Sequence, residues 1–208
     1  METLLSSAIS FASNGQAHAL VYKWFSSGSV CDAANNAIVG ASINVKVRHT
    51  MVRKFFASSH IETEAKKESF KTLAKLDSSD MLGRTEKYCE SANPDPKSKN
   101  EAFLTIFEGS SDMSLQHVQE MCRGYRQYSQ RETIESFAEQ FFERIEDCVN
   151  TKSWSLTRYI YLFLAPSMMA TETELVRFRA LQAKLESYSE AERKEGTPRL
   201  ITWVKESI

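Results

Sequence analysis

Between residues 129 and 150, in SQRETIESFAEQFFERIEDCVN, the side chains Ile134, Phe137, Ala138, Phe141, Phe142, Ile145, Cys148 and Val149 recur at three- and four-residue spacing. Wound at 3.6 residues per turn, these positions form one apolar stripe, so the spacing predicts an amphipathic helix with that stripe facing a core. Ser129 and Glu132 have capping-box spacing, which predicts the start of the same helix. A stretch of this kind needs other helices to bury its stripe. With only seven glycines and four prolines in 208 residues, the chain has few places to break. An all-α fold is therefore expected.

The neighbouring segments extend the pattern. KSWSLTRYIYLFLAP is apolar nearly all round from Tyr159 to Leu164, which predicts a central core helix stopped by Pro166. Thr171 with Glu174, and Ser189 with Glu192, repeat the capping-box spacing ahead of two further helices. The last of these carries Leu200, Ile201 and Trp203, with Gly196 and Pro198 as possible breaks or kinks. Upstream, residues 44–58, 62–76 and 79–92 read as three short helices with short links, which implies antiparallel neighbours. Two more are expected in the first 27 residues, split at Asn14-Gly15, while residues 28–43 carry no clear pattern. In NPDPKSKNEAFLTIFEGSSDMS, Pro94 ends one helix, Asp95 caps the next and Pro96 occupies its first position, where a missing N–H does no harm. That helix should turn Ala102, Phe103, Ile106 and Phe107 inward and stop at Gly109, and another should begin near Asp112 or Ser114 with Leu115, Val118, Cys122 and Tyr125 on one side. The sum is ten or eleven helices stacked as hairpins in one domain, 1–208, in the style of a HEAT- or armadillo-like α-solenoid, with no strict sequence period.

Charge and motifs exclude more than they assign. Twenty-six basic and 27 acidic residues are interspersed, for a net charge of −1, so no nucleic acid or anionic membrane partner is expected. The longest apolar run, YIYLFLA, is too short to span a bilayer, and no targeting segment is visible. Cys31, Cys89, Cys122 and Cys148 form no CxxC pair and are expected as reduced core thiols rather than a disulfide or metal site, which points to a cytoplasmic location.

Histidines 18, 49, 60 and 117 are scattered, without HExxH. His60 and Glu62 fall on different helical faces, and His117 with Glu120 predicts a surface contact. The sequence EGSSD at 108–112 lacks the second glycine of GxSxG, and no phosphate-binding glycine loop is present. Glu143 and Glu146 are expected on a solvated face, and Phe141, Phe142, Tyr159, Tyr161 and Phe163 in the core. No catalytic or metal-ligating residue is assigned to this chain, and its substrate-binding residues are unknown.

From residue 44 to the C-terminus the order of segments resembles the C-terminal helical domain of aminopeptidase N-type zinc metallopeptidases, the branch that includes puromycin-sensitive and endoplasmic-reticulum aminopeptidases. The resemblance rests on SANPDPKSKNEAFLTIFEGSSDMSLQHVQEMCRGYRQYSQRE, similar to the family's Pro-Asp linker, K-x-x-A-[WF] helix and D-x-S turn. It continues in FAEQFFERIEDCVNTKSWSLTRYIYLFLAPS, SSDMLGRTEKYCESANPD and the terminal TPRLITWVKESI. It implies a parent enzyme whose separate upstream domain supplies HExxH, a distant glutamate as third zinc ligand and a GAMEN-type motif. This chain itself would hold no cofactor, the zinc belonging to the upstream domain. Its expected role is to wall the active-site chamber and limit peptide access, with the catalytic domain and peptide substrates as partners. A stand-alone solenoid adaptor that binds a protein or peptide is the alternative.

Overall fold

A computed structural model describes residues 2–32, 37–109, 113–166, 171–190, 193 and 196–207. The fold is all-α apart from one small hairpin. In order, the helices are α1 (Glu2–Phe11), α2 (Gly15–Ser27), α3 (Val45–Ala57), α4 (Thr63–Leu76), α5 (Asp80–Ala92), α6 (Pro96–Glu108), α7 (Leu115–Tyr125), α8 (Arg131–Glu135), α9 (Ala138–Thr151), α10 (Trp154–Leu164), α11 (Glu172–Glu186) and α12 (Thr197–Glu206). Where the sequence carries no clear pattern, β1 (Ser29–Cys31) and β2 (Ala37–Ser42) pair as two short antiparallel strands. The Trp24 indole donates to the Cys31 carbonyl at 2.7 Å and ties β1 back to α2.

Most helix starts follow local chemistry. Asn14, Asn44, Ser79, Asp95, Ser114, Ser153 and Thr171 each accept a backbone N–H in the first turn, which satisfies a donor that the helix itself cannot. The Asp95 carboxylate receives the Ser98 N–H at 2.8 Å and Pro96 opens α6, as the sequence predicts. Ala102, Phe103, Ile106 and Phe107 are all buried. Gly109 ends α6 with φ of 72°, a left-handed conformation that glycine adopts without strain.

Several expectations fail for identifiable reasons. The helix predicted over 129–150 is interrupted: a 3-10 turn (Tyr128–Gln130) and the short α8 precede α9, with a break at Ser136 and Phe137. Ser136 Oγ donates to the Thr133 carbonyl at 2.6 Å, a local bond that competes with the helical ladder, while the Phe137 ring stacks on Phe103 at 5.4 Å. The Ser129–Glu132 box therefore does not open a helix, because Ser129 lies within the 3-10 turn. Thr171 accepts from the Glu174 N–H, whereas Glu192 lies outside the described residues. Pro198 sits in the first turn of α12 and starts that helix rather than breaking it. Leu162 on α10 and Leu115 on α7 are exposed, so α10 is not covered all round.

The packing follows alternate helices. α1 packs on α3, α3 on α5, α5 on α7 and α7 on α10, while α4, α6 and α9 lie against this row as partners of α3, of α5 and α7, and of α10. The row is parallel, because side chains bridge the C-terminal carbonyls of successive members. The Lys54 ammonium on α3 donates to the Ser10 carbonyl of α1 at 2.8 Å. The Gln130 amide donates to Ala57 of α3 and Ala92 of α5, each at 2.8 Å. The Lys99 ammonium donates to Ser91 of α5 at 2.7 Å and Tyr125 of α7 at 2.8 Å. The Arg126 guanidinium donates to Leu162 of α10.

Gln130 and Lys99 each satisfy orphaned carbonyls of two helix ends, Lys54 and Arg126 each reach one carbonyl of the neighbouring helix, and every bridge places a donor at a negative pole. His49 with Thr85 and Arg126 with Leu162 are each separated by 36 residues. Tyr88 with Gly124 and Arg123 with Tyr159 show the same spacing. From α3 through α5 and α7 to α10, successive members thus repeat in register although the residues themselves do not, whereas the α1–α3 contact Ser10–Lys54 spans 44 residues.

The apolar interior has two parts. One gathers Ile9, Val21, Phe25, Met51, Val52, Phe55 and Leu73 from α1 to α4, and the other gathers Phe103, Ile106, Tyr125, Phe141, Ile145, Ile160, Phe178 and Leu200 from α6 to α12.

Candidate functional site

Where α3, α5 and α7 meet, polar side chains form a continuous ladder. His49 and Arg53 sit one turn apart on α3, Thr85 and Tyr88 face them from α5, and Glu120 and Arg123 follow on α7. Arg53 Nε donates to Thr85 Oγ1 at 3.2 Å, Thr85 Oγ1 lies 2.8 Å from His49 Nδ1, and His49 Nε2 lies 2.7 Å from Asp77 Oδ2. Guanidinium only donates, so the Thr85 proton is free to point at Nδ1. With the hydroxyl turned that way, Nε2–H donates to Asp77. The Asp77 carboxyl is held below the usual range, first by the Ser79 backbone N–H, then by His49 and the Ser79 hydroxyl.

A second branch begins at Arg53. Its Nη1 lies 2.9 Å from Glu120 Oε2, and Arg123 Nη1 lies 2.5 Å from Glu120 Oε1, so one buried carboxylate holds two guanidinium groups. Arg53 stacks over Tyr88 at 5.0 Å, and Arg123 approaches the Tyr159 ring at 5.9 Å. Burial raises the Tyr88 phenol, whose oxygen accepts from Gln127 Nε2 at 3.0 Å. Arg53 keeps about a quarter of its side chain exposed (26%) and Arg123 nearly half (45%), so this branch reaches the surface.

A carboxylate, an imidazole and a hydroxyl in hydrogen-bonded order are the components of a nucleophilic relay. Thr85 cannot act as one here: it is fully buried and its oxygen already accepts from Arg53. The chain Arg53–Thr85–His49–Asp77 instead fixes α3 against α5 and against the loop that follows α4.

The residues singled out from the sequence are dispersed. His117 lies beside Gly83, whereas Glu120 engages Arg53 and Arg123, so the expected His117–Glu120 contact is replaced by this pairing. His18 is buried, and its ring lies 5.5 Å from that of His60. Glu62 precedes α4 without a capping bond. Glu143 is exposed as expected, but Glu146 is largely buried, with Lys184 Nζ at 2.5 Å and the Tyr188 hydroxyl as a second partner, tying α9 to α11. Phe141 and Tyr161 are core residues, Phe142 packs edge-on to Phe178, and Tyr159 and Phe163 stack on each other while only half-buried. All four cysteines are free and buried, and burial raises the thiols of Cys89, Cys122 and Cys148, the last to about 11. Residues 110–112 of EGSSD lie outside the described residues.

Among the described residues no group of three or more His, Cys, Asp or Glu side chains is placed to hold a metal ion, and no helix is long and apolar enough to cross a membrane. The His49–Thr85 ladder was not visible in the sequence, because its bonded pairs lie 28 to 36 residues apart and join separate elements. No family model matches the chain, and no curated protein matches it.

Proposed function

We propose that this chain is the non-catalytic C-terminal domain of a cytoplasmic zinc aminopeptidase of the aminopeptidase N type, in which it forms one wall of the chamber that admits peptides. The observation that carries the reading is the parallel row α1, α3, α5, α7 and α10, in register from α3 onward and bearing the partly exposed Arg53, Tyr88, Arg123 and Tyr159 along one face. Stacked helix pairs of the HEAT or armadillo kind offer such a face as a broad surface, and its bridged helix ends would let the wall move as a body against a neighbouring domain. The Asp95-capped, Pro96-initiated start of α6 adds support, since this linker carries the densest part of the resemblance. Zinc and its activated water belong, in this reading, to the upstream domain.

The test combines the purified chain with a catalytic aminopeptidase fragment that lacks it, and compares hydrolysis of short and long peptides. A shift in length preference on addition is expected. Binding without any such shift would favour the adaptor reading, and absence of binding would count against the chamber wall.

A further inference from the structure

A cavity of about 330 Å³ opens beside the C-terminal ends of α1 and α3, lined by Ser13, His18, Lys54, Ser58, His60 and Tyr128 among others, and none of its lining residues is acidic. His18 Nδ1 lies 2.9 Å from the Asn14 carbonyl oxygen, which can only accept, so Nδ1 carries the proton and Nε2 presents a bare lone pair. That Nε2 is buried and has no hydrogen-bond partner, although His18 is only 4% exposed. A buried acceptor left without a donor is costly and so points to a missing partner. The Lys54 ammonium, which donates to the Ser10 carbonyl, is paired with no carboxylate among the described residues. The charged neighbours acting on His18, Lys54 and His60, are both basic.

We propose that this cavity binds a phosphate monoester or inorganic phosphate, whose P–OH donates to His18 Nε2 while its remaining oxygens accept from Lys54 and the surrounding hydroxyls. The match is specific in one respect. Inorganic phosphate retains a proton to donate at neutral pH, and a monoester, whose second pKa is about 6, retains one at about pH 6, whereas sulfate does not. A metal ion suits the cavity poorly, since two imidazoles beside an ammonium supply too few ligands and the wrong charge.

The experiment follows the imidazole resonances of His18 and His60 by NMR while inorganic phosphate, glycerol 3-phosphate or sulfate is titrated into the full chain at about pH 6, where a monoester still carries a P–OH and burial, the main cause of the lowered His18 pKa, keeps its imidazole neutral. Saturable shifts are expected with both phosphates, with sulfate at least tenfold weaker. Tighter binding of glycerol 3-phosphate assigns a small-molecule monoester, and equal binding assigns phosphate itself. Lys54→Met should weaken binding tenfold or more and Lys23→Met, on the exposed side of α2, should not change it, with thermal midpoints confirming that both remain folded. Equal affinity for sulfate, an unaltered response in Lys54→Met, or no saturable shift by ~50 mM phosphate, well above a millimolar Kd, overturns the assignment.

Discussion

Gly124 on α7 lies directly against the Tyr88 carbonyl of α5: a Cβ built on Gly124 would overlap that oxygen and Ser91 Oγ, and would stand 3.0 Å from the Tyr88 carbonyl carbon. The obstacle is backbone, which cannot rotate aside as a side chain can. Gly124→Ala is therefore expected to separate α5 from α7 and destabilise the fold by ~1–3 kcal/mol or more, despite the better helix propensity of alanine. Gly83, also on α5, is the control, since its nearest obstacle is the flexible His117 ring at 3.5 Å. Gly83→Ala should be neutral or stabilising by up to ~1 kcal/mol. Urea unfolding midpoints of the two variants should move in opposite directions or differ widely.

The Thr85 hydroxyl is the one member of the polar ladder bonded to both Arg53 and His49. Thr85→Val keeps the shape and removes both bonds, leaving His49 Nδ1 and Arg53 Nε without partners in a closed site. A loss of ~1–3 kcal/mol is expected, largely recovered in Thr85→Ser, which restores the hydroxyl at the expense of one methyl. Chemical denaturation distinguishes the two. Equal losses would show that packing, not the hydroxyl, holds α3 to α5.

The carboxylate of Glu120 lies between two guanidinium groups, and only 9% of its side chain is exposed. In Glu120→Gln both pairs lose their charge while the shape is kept. Arg123 is nearly half exposed and can turn to water, so the cost falls mainly on Arg53, and a destabilisation of ~1–2 kcal/mol is expected. A double-mutant cycle with Arg53→Met should return a coupling energy well above that of exposed pairs such as Lys67–Glu64. A coupling near zero would mean that the Tyr88 stacking and the Thr85 hydroxyl keep Arg53 in place without Glu120.

What could be read from the sequence was local. Asn14, Asp95 with Pro96, and Ser114 announce helix starts because an N-cap acts within three residues of itself. The apolar stripe of α9 was legible for the same reason, since its period belongs to a single helix. The break at Ser136 was not, because it depends on Phe137 finding the Phe103 ring, which lies on another helix. The helix ends were the least legible of all. They are held by side chains from far along the chain, Gln130 reaching Ala57 across 73 residues and Lys54 reaching Ser10 across 44. A lysine in KSKNEAF looks like any solvated lysine until the two helix ends it joins are known. The register of the parallel row is likewise hidden, because the paired positions hold unlike residues, such as His49 with Thr85.

Lys99 gives the most direct view of how these ends are joined. It is fully buried, its ammonium shared between the Ser91 and Tyr125 carbonyls and lying 5.0 Å from the centre of the Tyr125 ring. Burial pushes its pKa down to about 7, whereas in the unfolded chain it titrates near 10.4. Between these values the unfolded state binds more protons than the folded state, so stability should rise as pH increases from about 7 toward 10, by up to ~1.4 kcal/mol per unit. Below pH 7 both states are protonated and this contribution becomes flat. Lys99→Met removes the titration and leaves the carbonyls of α5 and α7 without their donor, so it should lower stability at every pH yet abolish the rise. Denaturant midpoints measured from pH 6 to 10 on both proteins decide the matter. A rise that persists in Lys99→Met would assign it to another group, and a flat profile in the unaltered chain would mean that the two carbonyls keep Lys99 charged throughout.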